Sequence, residues 1–107
     1  AENEHQAGLA ERYLGDVFAL WGDSWRALAQ YQRALPLFRK VGANNVVAAT
    51  LIRIGKTHGQ LGDVVQAEAF FDQARAMALK WGDLDPLQRL ANESGDLYLR
   101  TNRPREA

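Results

Sequence analysis

The chain has 107 residues, a length typical of one domain with its own hydrophobic core. Its 13 basic and 13 acidic residues cancel, so it lacks the positive field that nonspecific binding to nucleic acid or to a membrane surface requires. Cysteine is absent, which excludes disulfides and thiolate metal sites. No run approaches the roughly 20 apolar residues of a membrane-spanning helix, and the polar first residues do not resemble a signal peptide. We therefore expect a soluble, cytoplasmic protein that binds neither nucleic acid nor membranes.

Apolar residues recur at intervals of three and four along the whole chain, as at Leu14, Phe18 and Trp21. This spacing is typical of amphipathic helices. No stretch alternates apolar and polar residues over the length of a strand, so we predict an all-α fold. Five helices are predicted, at about 4–21, 24–41, 45–61, 64–81 and 86–101.

Glycine marks each break between the predicted helices, at Gly22-Asp23, Gly42 to Asn45, Gly62-Asp63 and Gly82 to Asp85. Glycine adopts the left-handed conformation that ends a helix, and a following Asp or Ser can accept hydrogen bonds from the first amides of the next helix. Asp63 and Gln66 have the spacing of a capping box. Pro36 falls inside the second helix, where we expect it to kink the helix or to end its regular part.

The same residue types return after 40 positions, and glycine falls at 15, 55 and 95. A repeat of this length is one supersecondary unit that stacks on its neighbours to bury its apolar face. We predict a single domain over 1–107, with repeats at about 8–42 and about 48–82, the first helix of a third repeat at about 86–101, and a truncated array. The matching pairs include Gly22-Asp23 with Gly62-Asp63, Ala27 with Ala67, Tyr31 with Phe71, Ala34 with Ala74, Lys40 with Lys80 and Gly42 with Gly82.

These repeated residues resemble the tetratricopeptide repeat, whose usual period is about 34 residues, in its longer variety. The resemblance implies tandem antiparallel helix-turn-helix hairpins stacked as a right-handed α-solenoid of about five helices. Small residues should lie where the helices of a hairpin approach closely, with aromatic residues packed beside them. The packing positions are Gly15, Phe18, Ala27, Tyr31, Ala34, Gly55, His58, Ala67, Phe71, Ala74, Gly95 and Tyr98.

The resemblance further implies a non-enzymatic scaffold for protein–protein interaction, with a concave groove lined by the first helix of each repeat. Within each set of lining residues the spacings place the side chains on one helix face. A slight basic excess predicts an acidic segment of a partner, contacted by Arg12, Arg53, Lys56 and Arg89; solvated charges are the alternative. The predicted lining is Leu9, Arg12, Tyr13, Asp16 and Leu20, then Ala49, Ile52, Arg53, Lys56 and Gln60, then Arg89, Asn92, Glu93, Asp96 and Arg100.

No pattern of residues predicts catalysis, a cofactor or a metal. Gly55-Lys56-Thr57 resembles the end of a phosphate-binding loop, but Thr50 stands where that loop requires glycine. The two histidines are far apart in sequence, and neither serine has an evident base. We expect His58 to be a packed histidine. The tryptophans are expected to pack in the core or between repeats rather than to form a ligand cage; they are Trp21, Trp25 and Trp81.

Two other functional interpretations stay open. The chain could be a structural segment that forms homo-oligomers through exposed faces of its terminal repeats, because the predicted last helix presents an apolar face. That face would consist of Leu87, Leu90, Leu97 and Leu99. Alternatively, the chain could be a regulatory arm of a larger bacterial sensor or transcription regulator.

Overall fold

The computed structural model describes residues 2–81, and within them it contains four α-helices and no strand. They are α1 (Glu2–Leu20), α2 (Ser24–Lys40), α3 (Asn44–Gln60) and α4 (Val64–Trp81). The all-α prediction is confirmed for this part of the chain, and the predicted ends of these four helices differ from the observed ends by at most two residues. The predicted fifth helix and third repeat lie outside the described residues.

Each of the three turns between the helices contains a glycine with positive φ. The φ values are 80° at Gly22, 71° at Gly42 and 85° at Gly62, which confirms the left-handed conformation expected there. The same pair of backbone hydrogen bonds closes every turn. At the first, the Gly22 N–H donates to the Ala19 carbonyl at 3.1 Å and the Asp23 N–H donates to the Phe18 carbonyl at 2.9 Å. This arrangement satisfies carbonyls that the helix end would otherwise leave unpaired.

Aspartates start α2 and α4, as predicted. The Asp23 carboxylate accepts from the Arg26 N–H, and the Asp63 carboxylate accepts from the Gln66 N–H, each at 3.2 Å. Only this half of the expected capping box forms at Asp63, because its own N–H donates to the His58 carbonyl at 2.8 Å. The start of α3 differs, since Ala43 precedes it and has no side-chain acceptor.

Pro36 does not end α2, which continues as an α-helix to Lys40. The proline is exposed, whereas Leu35 and Phe38 on either side of it are buried in the core. Their burial holds the last turns of α2 in place, although proline cannot donate a backbone hydrogen bond there.

The core forms along the contacts of α1 with α2, α2 with α3, and α3 with α4. Two helix pairs approach each other at a glycine that faces an aromatic ring. A Cβ atom added at Gly15 would lie 2.7 Å from Cε1 of Tyr31, and one at Gly55 would lie 2.7 Å from Cε1 of Phe71. The two α-hairpins thus repeat the same close contact 40 residues apart. The buried core residues are Ala27, Leu28, Tyr31, Ala34, Leu35, Phe38, Val47, Leu51, Ile52, Ile54, Ala67, Phe71 and Ala74.

Two other expected packing positions are less deeply buried. Phe18 is partly buried against the core. His58, its counterpart in the second hairpin, stacks on Phe70 with 5.5 Å between the ring centroids. Gly95 and Tyr98 lie outside the described residues.

The tryptophans were predicted to pack in the core or between repeats, and none of them packs in the core. Trp21, Trp25 and Trp81 are 75%, 71% and 58% exposed. Trp21 and Trp25 lie on either side of the first turn, where Trp21 makes an edge contact with Phe18 at 6.1 Å between ring centroids. Apolar spacing alone did not reveal this exposure, because it does not distinguish a helix face covered by a neighbour from one that no described helix covers.

Candidate functional site

A cleft of about 350 Å³ opens where α1, α2 and α3 meet. Five of the residues predicted to line a partner groove lie on its wall: Asp16, Leu20, Arg53, Lys56 and Gln60. The other described residues of the lining are Ala19, Tyr31 and Thr57. The structure therefore brings residues of α1 and α3 to one surface although some 37 positions separate Asp16 from Arg53 in the chain.

Asp16 is the centre of the polar contacts in this cleft. Its carboxylate oxygen Oδ1 accepts a hydrogen bond from the Tyr31 hydroxyl and another from Nε of Arg53, the latter at 3.2 Å. Because Asp16 lies on α1, Tyr31 on α2 and Arg53 on α3, this one carboxylate links three helices. Charge-assisted hydrogen bonds of this kind are stronger than neutral ones.

The Tyr31 phenol is held in its protonated form. Burial raises its pKa first, because the ionised ring would be poorly solvated, and the hydrogen bond to the negative Asp16 raises the pKa further. Positive charge on Arg53 and Arg12 acts in the opposite direction. Tyr31 therefore acts as a hydrogen-bond donor to Asp16 at any ordinary pH.

The Arg53 guanidinium is held in place at one edge of the cleft. Nε contacts Asp16, and Nη1 donates to the Ala49 carbonyl at 3.5 Å. The side chain is 27% exposed. The Thr57 hydroxyl donates to the Arg53 carbonyl at 2.8 Å within α3. The Thr57 hydroxyl is therefore engaged within α3, and Arg53, Lys56 and Gln60 are the other described residues of α3 in the lining.

Among the described residues, positive charge exceeds negative charge around the cleft. Arg53 and Lys56 line it, and Arg12 lies close enough for its charge to influence Tyr31. Asp16 supplies the one carboxylate among the described residues of the lining. The Arg12 guanidinium also lies over the Tyr13 ring, 5.0 Å from its centroid. An anionic group entering the cleft would meet an attractive field.

The remaining predicted groove residues lie in different places. Tyr13 is 55% exposed, and Leu9 is partly buried against the core. Ile52 is 2% exposed and belongs to the core, so it does not line a surface; it lies on the face of α3 that is packed inside the protein. Ala49 is half-buried beside Arg53. The third set lies outside the described residues: Arg89, Asn92, Glu93, Asp96 and Arg100.

Sequence reasoning placed Tyr31 in the packing between helices and missed its polar role. A signal for that role was present in the repeat itself. The first hairpin pairs Tyr31 with Asp16, whereas the equivalent positions of the second hairpin are Phe71 and Lys56. A hydroxyl therefore occurs in the hairpin that also supplies its acceptor.

No protein-family model matches this chain, and no curated protein or solved structure is significantly similar to it. Within residues 2–81, no helix has both the length and the apolar composition needed to cross a membrane. The same part of the chain contains no cluster of three or more histidine or carboxylate side chains that could hold a metal ion. The class that the fold defines is an all-helical protein built from helix hairpins.

Proposed function

We propose that this chain is a non-enzymatic protein interaction module of the tetratricopeptide type, which binds a segment of a partner protein in the cleft between α1 and α3. The observation that supports this function is the convergence of Asp16, Arg53 and Lys56 on one concave surface. In a helical-hairpin protein, successive first helices offer such a surface to an extended or helical peptide.

The charge of the cleft favours an acidic segment. A carboxylate of the partner would meet Lys56 and the edge of Arg53, whereas Asp16 repels it from the α1 side of the cleft. The partner's acidic group therefore docks toward the α3 side. Leu20, which is 86% exposed at the edge of the cleft, offers an apolar contact to a neighbouring partner residue.

The contacts of Asp16 prepare Arg53 for binding. An arginine loses rotamer freedom when it binds a ligand, and a side chain already held by a carboxylate loses less of it. The Tyr31 hydroxyl holds Asp16 in turn. Asp16 and Tyr31 thus act as positioning residues, and Arg53 and Lys56 contact the partner.

A peptide-selection experiment tests this function. A library of random peptides is selected on the immobilised chain, and the affinities of enriched peptides are measured by fluorescence anisotropy. We expect enrichment of Asp and Glu. Replacing those residues by Asn and Gln should weaken binding, and binding should weaken as the salt concentration rises because the contacts are exposed.

Lys56→Glu is the sharpest variant, because Arg53→Glu would place a second carboxylate against Asp16 and disturb the α1–α3 contact. We expect Lys56→Glu to weaken binding about threefold to tenfold, consistent with about 0.7–1.4 kcal/mol for an exposed pair turned into a repulsion. Lys80→Glu, which makes the same charge change at the end of α4, is the matched control. Selected peptides without acidic residues, or equal affinities for the two variants, would contradict the proposal.

A further inference from the structure

The groove side of α1 exposes two large side chains on either side of Asp16. Tyr13 is 55% exposed and Leu20 is 86% exposed, and we call these two residues the exposed pair. Because they are seven residues apart, they point within about 20° of the same direction, and Asp16 lies between them on the same helix face. Water solvates apolar surface of this kind poorly, so a partner that covers it gains free energy.

This exposure does not depend on what precedes α1. The positions 40 residues after the exposed pair are Arg53 and Gln60 on α3. The Arg53 side chain is 27% exposed and Gln60 is exposed, although α1 and α2 both precede α3 in the chain. A preceding hairpin therefore leaves this face of the next helix open, and a hairpin stacked before α1 would not cover the exposed pair.

Cations lie along the same stretch of the surface. On the α3 side, Lys56 is exposed and lines the cleft together with Arg53. Nε of Arg53 donates to Asp16, which fixes this cation at a level between the two members of the exposed pair. On the α1 side, the Arg12 guanidinium lies 5.0 Å from the centroid of the Tyr13 ring. A segment that covers the exposed pair therefore brings its own intervening residues against positive charge.

The spacing of the exposed pair indicates the conformation of the segment that covers it. Seven residues at 1.5 Å each place Tyr13 and Leu20 about 10.5 Å apart along α1. A helix that lies along α1 presents its own side chains i and i+7 on one face with this same separation. An extended chain presents side chains on one side about every 6.7 Å, so its nearest choices miss the required separation by about 3 to 4 Å.

We propose that the occupant of the cleft is an amphipathic helix of a partner protein. Its large apolar side chains at i and i+7 contact Tyr13 and Leu20, and an acidic side chain at i+3 or i+4 contacts Lys56 and Arg53. These two positions lie on either side of the line that joins i and i+7, so one of them faces α3. The inference rests on the proposed function and deepens it, since it assigns the conformation and the residue pattern of the bound segment.

Three labelled peptides test the pattern by fluorescence anisotropy with the full chain. The first has leucine at i and i+7 and glutamate at i+3 and i+4 on a helix-forming background. The second has the same composition, but its second leucine is at i+5, on another side of the helix. The third adds proline at i+5, which interrupts the helix. We expect the first to bind at least tenfold more tightly than the others, because it alone covers Tyr13 and Leu20 together.

Variants of the chain test which side chains contact the leucines. Leu20→Ser should weaken binding of the first peptide about fivefold or more, because it removes an apolar contact. Val65→Ser, at a valine of α4 that is 74% exposed, is the matched control and should leave the affinity unchanged. Leu20→Ser and replacement of one peptide leucine by alanine should not be additive. Tyr13→Ser should show the same coupling with the other leucine.

Failure of this inference and failure of the proposed function give different results. Suppose that Lys56→Glu weakens binding of acidic peptides, but neither Leu20→Ser nor the position of the second leucine has an effect. The proposed function would then stand and the inference would be overturned, as it would be by equal binding of the proline peptide. No binding of any acidic peptide would contradict both. A dimer of the chain that Lys56→Glu dissociates in light scattering would assign the cleft to a second copy and would also overturn the inference.

Discussion

Replacing Gly55 by alanine tests the close approach of α3 and α4. The added Cβ would lie 2.7 Å from Cε1 and 2.8 Å from Cδ1 of Phe71, and 3.1 Å from the backbone oxygen of Ala67. Phe71 is 3% exposed, so its ring has little room to move. The backbone of Ala67 has even less, because Ala67 lies in the first turn of α4 and is fully buried.

Two opposing free energies decide the outcome. Alanine in place of glycine inside a helix contributes about 1 kcal/mol of stability through backbone propensity. Overpacking a filled core costs about 1–3 kcal/mol, and the buried ring places this site in the upper part of that range. We therefore expect Gly55→Ala to lower the free energy of unfolding by about 1–2 kcal/mol. Gly15→Ala should behave alike, because its Cβ would meet the Tyr31 ring at the same distance of 2.7 Å.

Urea denaturation followed by circular dichroism at the helix band measures the change. The double variant Gly55→Ala/Phe71→Leu supplies the control: removing the ring should recover part of the loss, so the two effects should not be additive. A gain of about 1 kcal/mol in Gly55→Ala, the value for a glycine without neighbours, would refute the packing that the structure assigns to the two hairpins.

Three further predictions concern single side chains. Tyr31→Phe should lower the free energy of unfolding by about 1–2 kcal/mol, because it removes a hydrogen bond to the Asp16 carboxylate. Since the pKa of Tyr31 is raised in the folded chain, the unfolding free energy of the wild-type chain should fall as pH rises above about 10. Urea denaturation at alkaline pH should show a smaller fall in Tyr31→Phe. An equal fall in the two proteins would count against the hydrogen bond. Burial lowers the pKa of His58 in the folded chain. Below pH about 6.5 the unfolded chain therefore binds a proton more readily than the folded chain does, so the free energy of unfolding should fall as the pH decreases. His58→Phe, which copies Phe18, should make that loss smaller in denaturation curves at several pH values; an unchanged pH dependence would show that other groups cause it. Asp63→Ala should cost about 0.5–2 kcal/mol in urea denaturation through the lost cap of α4, while Asp63→Asn retains the acceptor; equal losses in the two variants would contradict the cap.

Local features were predictable from the residues. The glycines of the three turns, the aspartates that start α2 and α4, and the bounds of four helices all depend on neighbours within a few positions. Helical periodicity likewise depends on residues three and four apart. Such short-range chemistry is written in the sequence and needs no knowledge of how the helices meet.

The candidate site was predictable only in part. The repeat placed Asp16, Arg53 and Lys56 on first helices, and the structure brings them to one cleft. The repeat pattern did not reveal that Ile52, which the same spacing assigned to the groove, is buried. Helical spacing shows which side chains share one face of a helix. It does not show whether that face points toward the groove or toward the core.

The sequence by itself determined that this chain forms helices, where four of them begin and end, and which turns join them. Tertiary structure alone decided that Tyr31 and Arg53, 15 and 37 positions from Asp16, both donate to its carboxylate. It also decided that Leu14 and Trp21 are exposed, whereas their counterparts Ile54 and Leu61 are buried and partly buried, respectively. The physical reason is that hydrogen bonds within a helix depend on the local chain, whereas exposure and contacts between helices depend on which helix packs beside each face.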